Sequence, residues 1–88
     1  MPDYRTLVFT DEFLDSLFAL SSTDQRRIRR ALRQLDTDET TPSLHVHQLK
    51  GPQAGARTAY ASRSLRITFE RLEGGRKWLI EPSQHHGD

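Results

Sequence analysis

The sequence predicts an α+β fold of order β-α-α-β-β-β, with a helical hairpin packed on a mostly antiparallel four-stranded sheet. Three observations predict it. A run of β-formers opens the chain, two apolar stripes at helical spacing occupy residues 11–35, and three further strand-like runs fill the second half. Helices gathered at one end of the chain, followed by strands joined by short turns, build a layer of helices on one face of a sheet.

The opening run is YRTLVFT, Tyr4 to Thr10, read as the first strand. Thr10 is a good N-cap, and Asp11 and Glu12 follow it in the first turn, where negative charge suits the helix dipole. Phe13, Leu14, Leu17, Phe18 and Leu20 then paint one helical face. Ser21–Ser22–Thr23 breaks that helix, and Ser22 with Gln25 makes a capping box that opens a second. Ile28, Ala31, Leu32 and Leu35 repeat at helical spacing, and the helix should stop before Pro42. SLHVHQLKGPQAGA reads as loop, RTAYAS and LRITFERL as strands, and KWLIEPS as the last strand after the hairpin signal Glu73–Gly74–Gly75–Arg76.

Composition bounds the possibilities. The chain has 88 residues, the size of one domain, since single cores use about 50–200 residues. It has no cysteine, hence no thiolate nucleophile, disulfide or zinc–thiolate site, and this fits a reducing cytoplasm. MPDYRTLVF lacks the charged and apolar regions of a signal peptide, and no apolar run approaches the roughly 18 residues of a membrane helix. These features describe a cytoplasmic protein.

The net charge of +1 divides unevenly. Residues 1–44 hold six basic and eight acidic side chains, whereas residues 45–88 hold seven basic and four acidic ones. Between His45 and Phe69 stand Lys50, Arg57, Arg63 and Arg66 and no acid at all. A cationic stretch containing histidines suits an anionic ligand, nucleic acid first among them. Arg26, Arg27, Arg29, Arg30 and Arg33 crowd one face of the second helix, which reads either as a solvated face or as a surface for nucleic acid or an acidic partner.

The histidines admit two chemistries. His45, His47, His85 and His86 are enough imidazoles for a metal, yet no carboxylate spacing marks a metal site, so no metal or other cofactor is expected. Acid–base cleavage of RNA is the alternative. It needs a base for the 2′-hydroxyl, an acid for the leaving 5′-oxygen, and fixed cations for the charge that builds on phosphorus. Histidine and arginine supply these roles near neutral pH, and such cleavage leaves a 2′,3′-cyclic phosphate or a 3′-phosphate.

HQLKG (47–51), LRITFE (65–70) and WLIEPSQHHGD (78–88), in that order and spacing, resemble the RelE/ParE superfamily of toxins from type II toxin–antitoxin systems. The resemblance spans nearly the whole chain and implies a single RelE-like toxin domain over residues 1–88. Within the ribonuclease branch, which the histidines favour, it implies an endoribonuclease (an mRNA interferase) that cuts mRNA, with the ribosome presenting it, and so inhibits translation and growth. His47 matches an acid–base position before LKG, Arg66 the strand arginine at the scissile phosphate, and His85 the tail histidine, with His86 as the second register. Lys50, Arg57 and Arg63 would add phosphate contacts. The ParE branch, which poisons DNA gyrase without cutting RNA, is the competing implication. Either branch implies a cognate antitoxin as partner. The chain departs from the pattern at Leu65, where an aromatic is usual, and at Ser83, where glycine is usual. It also stops at Asp88, short of a terminal aromatic common in the family, which implies weakened activity or a shortened end.

Overall fold

The computed structural model describes residues 4–49 and 55–84. The elements are β1 (Leu7–Val8), α1 (Asp11–Phe18), α2 (Ser22–Thr37), a 3-10 turn (Pro42–Leu44), β2 (His47–Gln48), β3 (Ala56–Tyr60), β4 (Leu65–Arg71), a second 3-10 turn (Glu73–Gly75) and β5 (Lys77–Gln84). The sheet runs β1-β5-β4-β3-β2. All neighbours are antiparallel except β1 and β5, which are parallel. The α+β class and the helical hairpin are as expected, and the sheet has five strands instead of four. The added strand lies in the stretch read as loop, where His47 and Gln48 pair with Thr58 and Arg57. A two-residue edge pairing is too short to leave a period-two pattern. The first strand shrinks to Leu7–Val8 for the same reason: only those residues find partners, Lys77 and Trp78.

Caps fix where the helices begin. Thr10 Oγ1 accepts a hydrogen bond from the Phe13 amide at 3.0 Å and donates to the Leu79 carbonyl at 3.1 Å, tying the start of α1 to β5. The cap of α2 is Ser21, one residue earlier than the capping box places it. Ser21 holds the extended conformation a cap needs, and its Oγ accepts from the Asp24 amide at 3.2 Å. Gln25 instead donates through Nε2 to the carbonyls of Leu20 and Phe18, at 3.0 and 3.4 Å, and closes the turn between the helices. The Glu73–Arg76 turn uses Gly74 and Gly75, both at positive φ, as the hairpin signal requires.

The helices cover one face of the sheet. Phe13 and Leu17 of α1 and Ile28, Ala31, Leu32 and Leu35 of α2 meet Ala59, Leu65, Ile67, Phe69 and Leu79 of the strands, with Leu44 closing one end. Full burial of such side chains stabilises by about 1.5–3 kcal/mol each, before the conformational entropy that ordering costs. The five arginines of α2 stand exposed on the outer side of this layer. No helix among the described residues is long and apolar enough to cross a membrane.

A polar clip fastens β1 to α2. Asp36 Oδ1 accepts from the Thr6 amide at 2.7 Å, the Thr6 hydroxyl at 2.7 Å and the Arg5 amide at 3.0 Å. The buried Lys77 ammonium donates to Thr6 Oγ1 at 3.0 Å and to the Gly75 carbonyl at 3.1 Å. Partial burial acts to raise the Asp36 pKa, but the Thr6 hydroxyl, the two amides and the Lys77 charge together hold it below the ordinary carboxylate value.

A depressed carboxylate pKa contributes stability that is present above the unfolded-state pKa and is lost as pH falls through the folded-state value. Asp36→Asn should therefore lower unfolding free energy at pH 7, toward the lower end of the about 1.5–3 kcal/mol typical of charged hydrogen bonds, because the site is only partly buried. It should also flatten the loss of stability below about pH 4. Urea denaturation of both proteins across pH 2.5–7 checks this, and parallel curves at acid pH would contradict the clip. Phe69→Ala should cost about 3–5 kcal/mol by the same measurement, since its ring is fully buried between sheet and helices.

Candidate functional site

With one face of the sheet under helices, strand alternation sorts each side chain toward the core or toward the opposite face. Leu65, Ile67 and Phe69 of β4 enter the core, so Arg66 between them projects from the other face. The register sets Arg66 between Tyr60 of β3 and Ser83 of β5. Its guanidinium carbon lies 4.3 Å from the centroid of the Tyr60 ring, a cation–π contact. The rings of His45 and His47 reach the same phenol, with centroids 5.5 and 5.9 Å away. One aromatic ring thus gathers an arginine and two histidines.

The backbone beneath this cluster has an unusual turn. His45 caps the Pro42–Leu44 turn in the left-handed conformation, φ 46°, and is the only non-glycine among the described residues with positive φ. Its amide donates to the Pro42 carbonyl at 3.1 Å. Its carbonyl lies 3.0 Å from His47 Nδ1. A carbonyl only accepts, so this contact is a hydrogen bond in the tautomer with the proton on Nδ1, which leaves Nε2 as the free lone pair. That tautomer is the one a base acting through Nε2 requires. Arg66 Nε is buried and has no hydrogen-bond partner among the described residues. An unsatisfied cationic donor is costly, and an oxyanion arriving at the guanidinium would relieve it.

Next to Tyr60 is an open cleft of about 390 Å³, lined by Ser43, His45, Tyr60, Ala61, Ser62 and Arg63. Arg63 occupies the turn between β3 and β4. Ser62 Oγ accepts from the Ser64 and Leu65 amides at 3.3 and 3.2 Å and so shapes that turn.

Of the residues expected from sequence, the structure brings His47 and Arg66 together through Tyr60, and Arg63 lines the cleft that Tyr60 also walls. Arg57 is in register with the core residue Phe69 and therefore projects from the helix-covered face, away from Arg66. Lys50, His85 and His86 lie outside the described residues. His45 and His47 do not share an extended face, because His45 is left-handed, yet both reach Tyr60. Tyr60 itself was missed by sequence reasoning. The one available signal was the pair of serines around Arg63: a turn centred there pairs Tyr60 with Arg66. Among the described residues no three histidine, aspartate or glutamate side chains are grouped to hold a metal.

No family model matches the chain, and no curated protein matches it in sequence. Solved structures do match it in shape. The RelBE2 toxin–antitoxin complex from Mycobacterium tuberculosis gives a TM-score of 0.76 at 15% identity, covering 91% of this chain and 96% of that one. A YoeB/ParE toxin from Agrobacterium tumefaciens gives 0.75 at 19% identity, with 93% and 100% covered. The archaeal RelE–RelB complex from Pyrococcus horikoshii gives 0.75 at 12% identity, with 98% and 100% covered. Two helices on one face of a mostly antiparallel five-stranded sheet are the fold this chain shares with toxins of the RelE, YoeB and ParE type.

Proposed function

We propose that this chain is the toxin of a toxin–antitoxin system and an endoribonuclease that cleaves mRNA without a metal, at the ribosome, thereby stopping translation. The observation that carries this is the grouping of His47 and Arg66 on one phenol ring, on the face of the sheet that the helices leave bare. The shared fold with toxins solved alone and with antitoxins supports it.

The chemistry follows from the groups present. His47 Nε2 takes the proton from a ribose 2′-hydroxyl as its oxygen attacks the adjacent phosphorus. The guanidinium of Arg66, held over the Tyr60 ring, takes the oxyanion charge, and its Nε, without a partner among the described residues, gains an acceptor. The bond from phosphorus to the 5′-oxygen breaks, and that oxygen takes a proton from His85, which follows β5 directly in sequence. His86 is the alternative donor. The products are a 2′,3′-cyclic phosphate and a 5′-hydroxyl. Lys50 and Arg63 add phosphate contacts, and Arg57, on the far face of the sheet, is the least supported of that set. A cognate antitoxin is the partner that holds the toxin silent in the cytoplasm.

Replacing His47 and His85 together by alanine should reduce RNA cleavage by about 10²–10⁴-fold, the usual share of general acid–base catalysis, and should abolish growth arrest. Arg66→Ala should do the same while the folded protein persists, because Arg66 contributes nothing to the core. In vitro translation with primer-extension mapping, run beside a gyrase supercoiling assay, measures both. A double variant that remains fully toxic, or wild-type protein that blocks supercoiling and leaves mRNA intact, would overturn this function.

A further inference from the structure

We infer that the cleft beside Tyr60 is a nucleotide subsite, which takes the nucleotide adjoining the cleaved bond with its base against Tyr60 and His45 and its phosphate at Arg63. This rests on the ribonuclease reading above and extends it from the cleavage cluster to the cleft that adjoins it. Four observations carry it. The volume of about 390 Å³ falls within the roughly 300–1,000 Å³ of small-molecule sites. The lining combines two aromatic rings with a guanidinium and two serine residues, and contains no acid. Aromatic faces receive bases by stacking whatever their sequence, and a guanidinium receives phosphate through paired donors.

The third observation is continuity. Tyr60 is both a wall of the cleft and the ring on which Arg66 and His47 rest, so a polynucleotide crossing the bare face meets both in succession. The fourth is the left-handed backbone of His45. Such a conformation in a side chain larger than glycine is retained where its surroundings impose it, and such outliers collect at ligand sites. Here it turns the imidazole of His45 toward Tyr60 while its carbonyl meets His47. The strained residue therefore belongs to the cleft and to the cleavage cluster at once.

The test is titration of the isotopically labelled full chain with adenosine 5′-monophosphate, with adenosine and with inorganic phosphate, followed by NMR. The monophosphate should move the amide resonances of residues 43–45 and 60–63, and bind about tenfold more tightly than either fragment. Arg63→Gln, in an exposed turn where folding is not at stake, should weaken it by about tenfold. His45→Asn, which tolerates the left-handed backbone, should weaken adenosine and monophosphate but not phosphate. Equal shifts from phosphate and monophosphate, equal shifts from an acidic peptide, or no shift at these residues would each overturn the subsite. Nucleotide binding does not require cleavage. RNA cleavage without these shifts sinks the subsite alone, and these shifts without any RNA cleavage sink the nuclease reading alone.

Discussion

The one-sided cover of the sheet is the constraint on which the rest of this structure depends. Two helices supply a single apolar layer, so each strand residue is committed either to that layer or to the face without helices, with period two. β4 bears the consequence most clearly. Leu65, Ile67 and Phe69 anchor it in the core, and this leaves Arg66 no choice of face. The arginine is aimed by the packing of its neighbours, and a one-residue slip of β4 would bury it among leucines. The Thr10 cap and the Asp36 clip protect the same arrangement from the helix side, by locking α1 and α2 to β5 and β1.

Tyr60 converts that geometry into a site. Three cationic or titratable groups from three segments, the turn before β2, β2 itself and β4, converge on one ring. Packed together in an apolar setting they would repel one another when charged. The negative face of the phenol offsets part of that repulsion for Arg66, and the exposure of both histidines leaves the imidazoles to solvent. What the ring does not supply is an acceptor for Arg66 Nε, and an anionic ligand is the group that would complete the set.

Much of this was legible in the residues and some was not, for physical reasons. The helices announced themselves through apolar spacing and caps. The position of the α2 cap slipped by one because Ser21 and Ser22 are chemically equal candidates and backbone conformation decides between them. The edge strand β2 escaped, and β1 is shorter than its run of β-formers, because two paired residues carry no period. His47 and Arg66 were legible as chemistry. Arg57 was equally plausible in sequence, and only the register opposite Phe69 turns it to the covered face. Tyr60 reads as an ordinary strand aromatic until pairing sets it against Arg66, and a histidine such as His45 signals a left-handed turn only weakly, because it enters that region far less often than glycine.

The central claim is that histidine and arginine on the bare face cut RNA through the 2′-hydroxyl. The ends of the cleaved RNA test it most directly. Mass spectrometry of the fragments, with and without a chelator, should find 2′,3′-cyclic phosphate and 5′-hydroxyl ends in equal yield under both conditions. Fragments ending in 3′-hydroxyl and 5′-phosphate, or cleavage that stops when divalent ions are removed, would contradict it.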